Sequence, residues 1–165
     1  MKAVLEDIQK QRVALLLERE IGRRIEDLIP KIQRLAQQFA IGEINETSPL
    51  RNILTVATQV GSGVETTKNY ILYQLGRSGS SKIWQQRADN KRFGVAVVEI
   101  LDNIKGDAEE IIEAIEKECK IENGKLPNRT DWVKEAHLKL MQLYLGNLGR
   151  YHAFLKSERT RGGRE

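Results

Sequence analysis

Three cations, Arg51, Lys68 and Arg77, stand in a stretch dominated by hydroxyls and amides, NETSPLRNILTVATQVGSGVETTKNYILYQLGR, residues 45–77. Between the first and last of them the only acid is Glu65. Guanidinium and ammonium groups set among Thr, Asn, Gln and Tyr can bond phosphate oxygens and ribose hydroxyls without reading base edges. At helical spacing Arg51 shares a polar face with Thr55, Thr58 and Gln59, and Tyr73 and Arg77 lie four apart on one side. Lys68 falls between Val64 and Leu72 at the edge of an apolar face, so its stem should lie along that face with the ammonium beside it. Lys82, Arg87, Lys91 and Arg92 extend the series as weaker candidates for the same contact. A set of ordinary solvated helix cations is the competing reading.

Other chemistry is hard to build from this chain. His137 and His152 are fifteen residues apart, without Cys or His at metal-ligand spacing. Cys119 has Lys117 and Lys120 nearby, which could lower a thiol pKa, but no orienting base is indicated locally. The GSG at 61–63 lacks the Gly-Lys-Ser/Thr of a phosphate-binding loop. Carboxylates from Asp107 to Glu122 recur on the solvent side of Ile111, Ile112 and Ile115, without the alternation and glycine turn of a calcium loop. They form either a solvated face or a contact for a basic patch on another subunit. The chain therefore reads as no enzyme, with no catalytic residue, metal or cofactor.

Charge is unevenly placed. Residues 47–98 carry 7 Lys+Arg against 2 Asp+Glu, residues 99–122 carry 3 against 9, and residues 123–165 carry 9 against 4. An acidic segment thus masks two basic ones inside a net +4, an asymmetry suited to a polyanionic partner. The 165 residues suit one domain with its own core, and the single cysteine fits a reducing compartment. MKAVLEDIQK is too charged for a signal peptide, and no apolar run approaches the roughly 20 residues of a membrane span. A cytoplasmic location without membrane contact is expected.

The elements that must position these cations read as helices throughout. Val4, Leu5, Ile8, Leu15, Leu16, Ile21, Ile25, Leu28 and Ile29 recur largely at three-to-four spacing, and Pro30 should kink or divide this segment before a second piece to about Ala40. Ser48 offers an N-cap with Pro49 at the first helical position of a segment ending at GSG. Ser62 and Glu65 have capping-box spacing for a helix through Leu75 that stops at Gly76. RSGSSK is a loop, and Trp84 anchors the short segment after it. A helix is expected from about Asp89 to Ile104, interrupted at Gly106–Asp107 and followed by an acidic amphipathic piece over 107–121. A last helix runs from about Thr130 to Ser157, ahead of a disordered basic tail, ERTRGGRE. No strand pattern is convincing. The expected fold is all-α, a bundle of five to seven helices.

The stretch that holds the cations also carries a resemblance. TSPLRN (47–52), followed after a helix by KNYILYQLGR (68–77), resembles the Csm small subunit of type III-A CRISPR effector complexes. The aromatic-rich final helix, LMQLYLGNLGRYHAFLKS (140–157), is similar more loosely. The resemblance implies a non-catalytic helical subunit that stacks with copies of itself and with other complex subunits. It would line the channel holding guide RNA paired with target RNA and touch phosphates regardless of sequence. Carried over by position, Arg51, Lys68 and Arg77 would make those contacts. The chain thus reads as a single helical domain over 1–157, with 1–45 as an N-terminal extension, 46–157 as the core that resembles the small subunit and 158–165 as a flexible tail. Pro49 departs from the family pattern at a position often basic there, and the first 45 residues and 78–125 are longer or different, which leaves the subtype open. The alternative from another class is a helical protein–protein adaptor that docks through the apolar and acidic faces of 95–121 and binds no nucleic acid.

Overall fold

The computed structural model of the protein describes residues 2–163, with side chains from Glu6 onward except at position 122. The apolar positions Val4 and Leu5, and the tail residues Arg164 and Glu165, lie outside the described side chains. Three long helices frame the fold: α1 (Lys2–Gln38), α5 (Phe93–Glu118) and α6 (Arg129–Gly162). Between them the chain makes α2 (Ser48–Thr58), α3 (Val64–Gly76) and the single turn α4 (Lys82–Gln85). An all-α bundle is what the periodicity predicts, and it is what forms.

The stripes explain the packing. Along α1 and just past its end, Val13, Leu17, Ile21, Ile25, Leu28, Ile32, Leu35 and Phe39 are buried at steps of three or four. Phe93, Val97, Leu101, Ile104, Ala108, Ile111 and Ile115 do the same on α5, and Val133, Ala136, Leu140, Tyr144, Leu148 and His152 on α6. Each helix therefore turns one face to the others, and α6 packs along both α1 and α5.

Two expected breaks are absent. Helix α1 runs through Pro30 without division. An interior proline costs a helix about 3 kcal/mol. Burying Leu28, Ile32, Leu35 and Phe39 in one register returns about 1.5–3 kcal/mol each, and Pro30 itself sits on the exposed face. Packing wins. Helix α5 likewise continues through Gly106 and Asp107, because a glycine costs only about 1 kcal/mol while Ile104, Ala108 and Ile111 stay in the core stripe. Asp107 does not cap a new helix; it accepts from Arg24 of α1 at 2.6 Å.

The shorter elements differ from expectation at their ends. Helix α3 takes Gly63 as its N-cap, which puts Glu65 one position too early for a capping box. Ser62 Oγ is left buried without a partner, and Glu65 pairs with Lys68 instead. Residues 87–92 form a hairpin rather than the start of α5: β1 (Arg87–Ala88) pairs antiparallel with β2 (Lys91–Arg92). Asp89 and Asn90 turn it at φ 48° and 61°, the left-handed pair that a tight two-residue hairpin requires. Strands of two residues are too short to leave an alternating pattern in the sequence. Finally, α6 does not stop at Ser157. It continues to Gly162, and Arg159 donates to the Glu43 carbonyl at 2.6 Å, so residues 158–162 are helix and not a disordered tail.

An aromatic node fixes the end of the bundle nearest the cations. Trp84, 1% exposed, stacks on Phe93 at 6.0 Å, and Phe39 meets Phe93 edge-on at 5.5 Å. The short helix α4 is thereby tied to α5, whose Phe93 also meets the residue that follows α1. Among the described residues no helix is long and apolar enough to cross a membrane.

Candidate nucleic-acid interface

The seven cations fall into two groups. The side chains of Arg51, on the exposed face of α2, and Lys82, the first residue of α4, make no hydrogen bond or ion pair with any described residue. Arg77 follows α3 with its guanidinium carbon 5.8 Å from the centre of the Tyr73 ring, and no described carboxylate pairs with it. Arg87 donates only to the Asn90 carbonyl, at 3.4 Å. These four keep their charge open to solvent.

The other three are committed. Lys68 reaches Asp102 of α5 at 2.5 Å and Glu65 at 2.9 Å, and is only 14% exposed. The Asp102 hydrogen bond, followed by that of Glu65, holds the ammonium pKa above its ordinary value. Lys91 pairs with Glu99 at 2.5 Å. Half-buried Arg92 donates at 3.4 Å both to the Leu75 carbonyl and to Gln85 Oε1, satisfying one of the orphan carbonyls near the C-terminal end of α3. These side chains fasten α3, the hairpin and α5 together.

Arg77 lines a polar cleft of about 440 Å³. Its walls are the start of α2 (Ser48, Pro49, Asn52), one face of α3 (Tyr70, Gln74, Arg77) and the loop Gly79–Ser81, with Glu46 and Trp84 completing it. Tyr70, Gln74 and Arg77 share the wall because they are spaced i, i+4, i+7. Thr47 caps α2 without a side-chain hydrogen bond, Pro49 has no N–H, and the amides of Ser48 and Leu50 have no acceptor among the described residues. That helix end carries partial positive charge, and Ser48 brings its free donor to the cleft that Arg77 lines. Gln74 escapes sequence reasoning about cations. Its only signal is a polar residue on the buried stripe of α3, with Thr67, Ile71 and Leu75.

The acids of 99–122 are largely consumed inside the chain. Glu99 and Asp102 hold Lys91 and Lys68, Asp107 and Glu110 hold Arg24, Glu118 holds Arg19, and Glu116 holds Arg129 at 3.2 Å. A larger groove of about 580 Å³ lies at the start of α6, where Glu6, Asp131 and Glu135 outweigh Lys10. Its charge opposes a polyanion.

Neither histidine lines the cleft of Arg77, nor does the cysteine. His137 Nε2 lies 2.7 Å from the Leu101 carbonyl, and buried His152 Nε2 lies 3.2 Å from the Ile44 carbonyl, so both tie α6 to its neighbours. Cys119 is a half-buried free thiol at the end of α5. Among the described residues no group of three or more His, Cys, Asp or Glu could hold a metal ion. Fold and site together define an all-α bundle with a polar cleft at one end, lined by one cation, Arg77, and one acid, Glu46. Comparisons with protein-family models, curated proteins and solved structures return no match.

Proposed function

We propose that the protein is a non-catalytic RNA-binding structural subunit of a type III CRISPR RNA-guided interference complex. It would hold guide and target RNA through sequence-independent phosphate contacts and stack along the complex with copies of itself. The observation that carries the RNA-binding part is the grouping of Arg77 with Ser48, whose amide has no acceptor among the described residues, in one polar cleft, with Arg51 one helical turn from Ser48. The assignment to this class of complex rests on the resemblance of 47–52 and 68–77. The adaptor reading has less to stand on. Most of the apolar face of 95–121 is buried in the core, and its acids pair within the chain.

The test is a salt titration of binding to two unrelated RNAs, alongside thermal melts. Arg51→Ala, Arg77→Ala and Lys82→Ala should each weaken both RNAs about equally and reduce the salt slope by about 1 per lost phosphate contact. Lys68→Met should leave the slope unchanged, since its ammonium is already held by Asp102 and Glu65. A folded triple variant of Arg51, Arg77 and Lys82 with unaltered affinity and slope would return these cations to a solvated face.

A further inference from the structure

Gln74 is a buried polar side chain that phosphate contacts leave unexplained. It is 8% exposed, yet its carboxamide makes no hydrogen bond with any described residue. Among the described residues the only side-chain polar atom sealed from solvent without a partner is Ser62 Oγ. The Gln74 carboxamide therefore keeps access to the cleft that it lines. Two donors and an acceptor are held there in a buried wall, beside the cationic end of α2 and Arg77. A phosphate can take the two donors, but it has no hydrogen to offer the acceptor.

Glu46, at the same cleft, sharpens the point. A carboxylate repels phosphate and accepts only from a donor, so its presence favours a ligand with a hydroxyl or amino hydrogen next to its anionic group. The ribose 2′-hydroxyl is both donor and acceptor, which suits a carboxylate and a carboxamide together. The cleft of about 440 Å³ also has room for a sugar beside the phosphate.

Building on the RNA-binding reading, we infer that this cleft seats one ribonucleotide unit of an RNA strand and discriminates RNA from DNA. The phosphate lies on the Ser48 amide and Arg77, and the 2′-hydroxyl lies between Gln74 and Glu46.

The experiment measures fluorescence-anisotropy affinities at one fixed salt for two unrelated single-stranded RNAs and their 2′-deoxy counterparts. The unaltered protein should prefer each RNA over its DNA by about tenfold, the scale of one well-made hydrogen bond. Gln74→Met keeps the side-chain length without the amide; it should remove most of that preference and leave DNA affinity within about twofold. Arg77→Ala should weaken RNA and DNA equally. Equal affinity of the unaltered protein for RNA and DNA overturns the ribose assignment and leaves the phosphate reading standing. A Gln74→Met loss that appears with one base sequence and not the other assigns the carboxamide to a base edge and overturns it as well. Absence of binding to any of the four strands removes both readings. The comparison of RNA with DNA needs no variant, so a Gln74→Met chain that fails to fold does not block the test.

Discussion

His152 illustrates how a residue with the chemistry of catalysis serves the fold. Burial on α6 is the main cause of an imidazole pKa held below its ordinary 6.5, and nearby Lys156 lowers it further, while the hydrogen bond with the Ile44 carbonyl opposes both. The folded state thus favours the neutral ring. Stability from this residue is complete above pH 6.5 and drains away as pH falls below it, by up to about 1.4 kcal/mol per pH unit until the folded pKa is reached. Glu113 and Glu118 also sit below their ordinary 4.5, held down first by Lys117 and Arg19 respectively, but their contributions are lost only at more acid pH. Urea midpoints between pH 7 and 5 should fall for the unaltered protein and fall less for His152→Gln, which can still donate to Ile44. Equal slopes for the two chains would show that the ring is not held neutral. The same residue scale limits what the sequence tells of the site. Arg51 and Arg77 declare themselves by charge among neutral neighbours. The α5 partners of Lys68 and Lys91, Asp102 and Glu99, lie 34 and 8 residues away, and no local pattern encodes such a pairing.

At the scale of elements, Pro30 sets local preference against packing. It lies exposed in the middle of α1, where it removes one backbone donor and crowds the carbonyl four residues earlier. Pro30→Ala should restore that hydrogen bond and raise stability by about 1–3 kcal/mol without touching the core. A higher urea midpoint with unchanged helical circular dichroism is the expected result; a lower midpoint would mean that Pro30 is needed for the path of α1. The contrast explains which elements are legible from sequence. Stripes at steps of three and four identify α1, α5 and α6 because their burial runs to many side chains. Breaks assigned to Pro30, Gly106 and Ser157 rest on single-residue costs, which those stripes outweigh. The hairpin at 87–92 is illegible for the opposite reason: its strands are two residues long, and its turn is shaped by Asp89 and Asn90 instead of glycine. Gly42 shows an approach of the same kind, since a Cβ there would lie 2.8 Å from Leu155 Cβ, and only the folded chain reveals that α6 passes so near.

For the whole molecule, the distribution of charge decides how copies could meet. The sequence places a strongly acidic segment at 99–122 between basic ones and suggests it as the contact. Its acids are instead mostly tied to Arg19, Arg24, Lys68, Lys91 and Arg129 of the same chain, which leaves little for a partner. The ends of α6 keep a contrast. Near its start lies the groove of Glu6, Asp131, Glu135 and half-buried Trp132. Near its end Tyr151 and Phe154 stack at 5.7 Å, with Phe154 51% exposed, and Lys156, Arg159 and Arg161 follow. Thirty-four residues of helix separate these ends by about 50 Å, so one surface cannot satisfy the other within a single chain. Acidic and basic ends on one rod favour head-to-tail contact, which builds open filaments because it does not close on itself. The competing pairs Glu135–Lys139 and Arg159–Glu43 weaken each end, so association should be weak for the isolated protein. Sedimentation velocity over a range of concentration should show reversible self-association that declines with salt, and Asp131→Lys with Glu135→Lys should abolish it. Phe154→Ser should weaken it at every salt concentration, since its contribution is burial and not charge. A strict monomer at all concentrations, or a closed dimer indifferent to both sets of changes, would rule out stacking through the ends of α6.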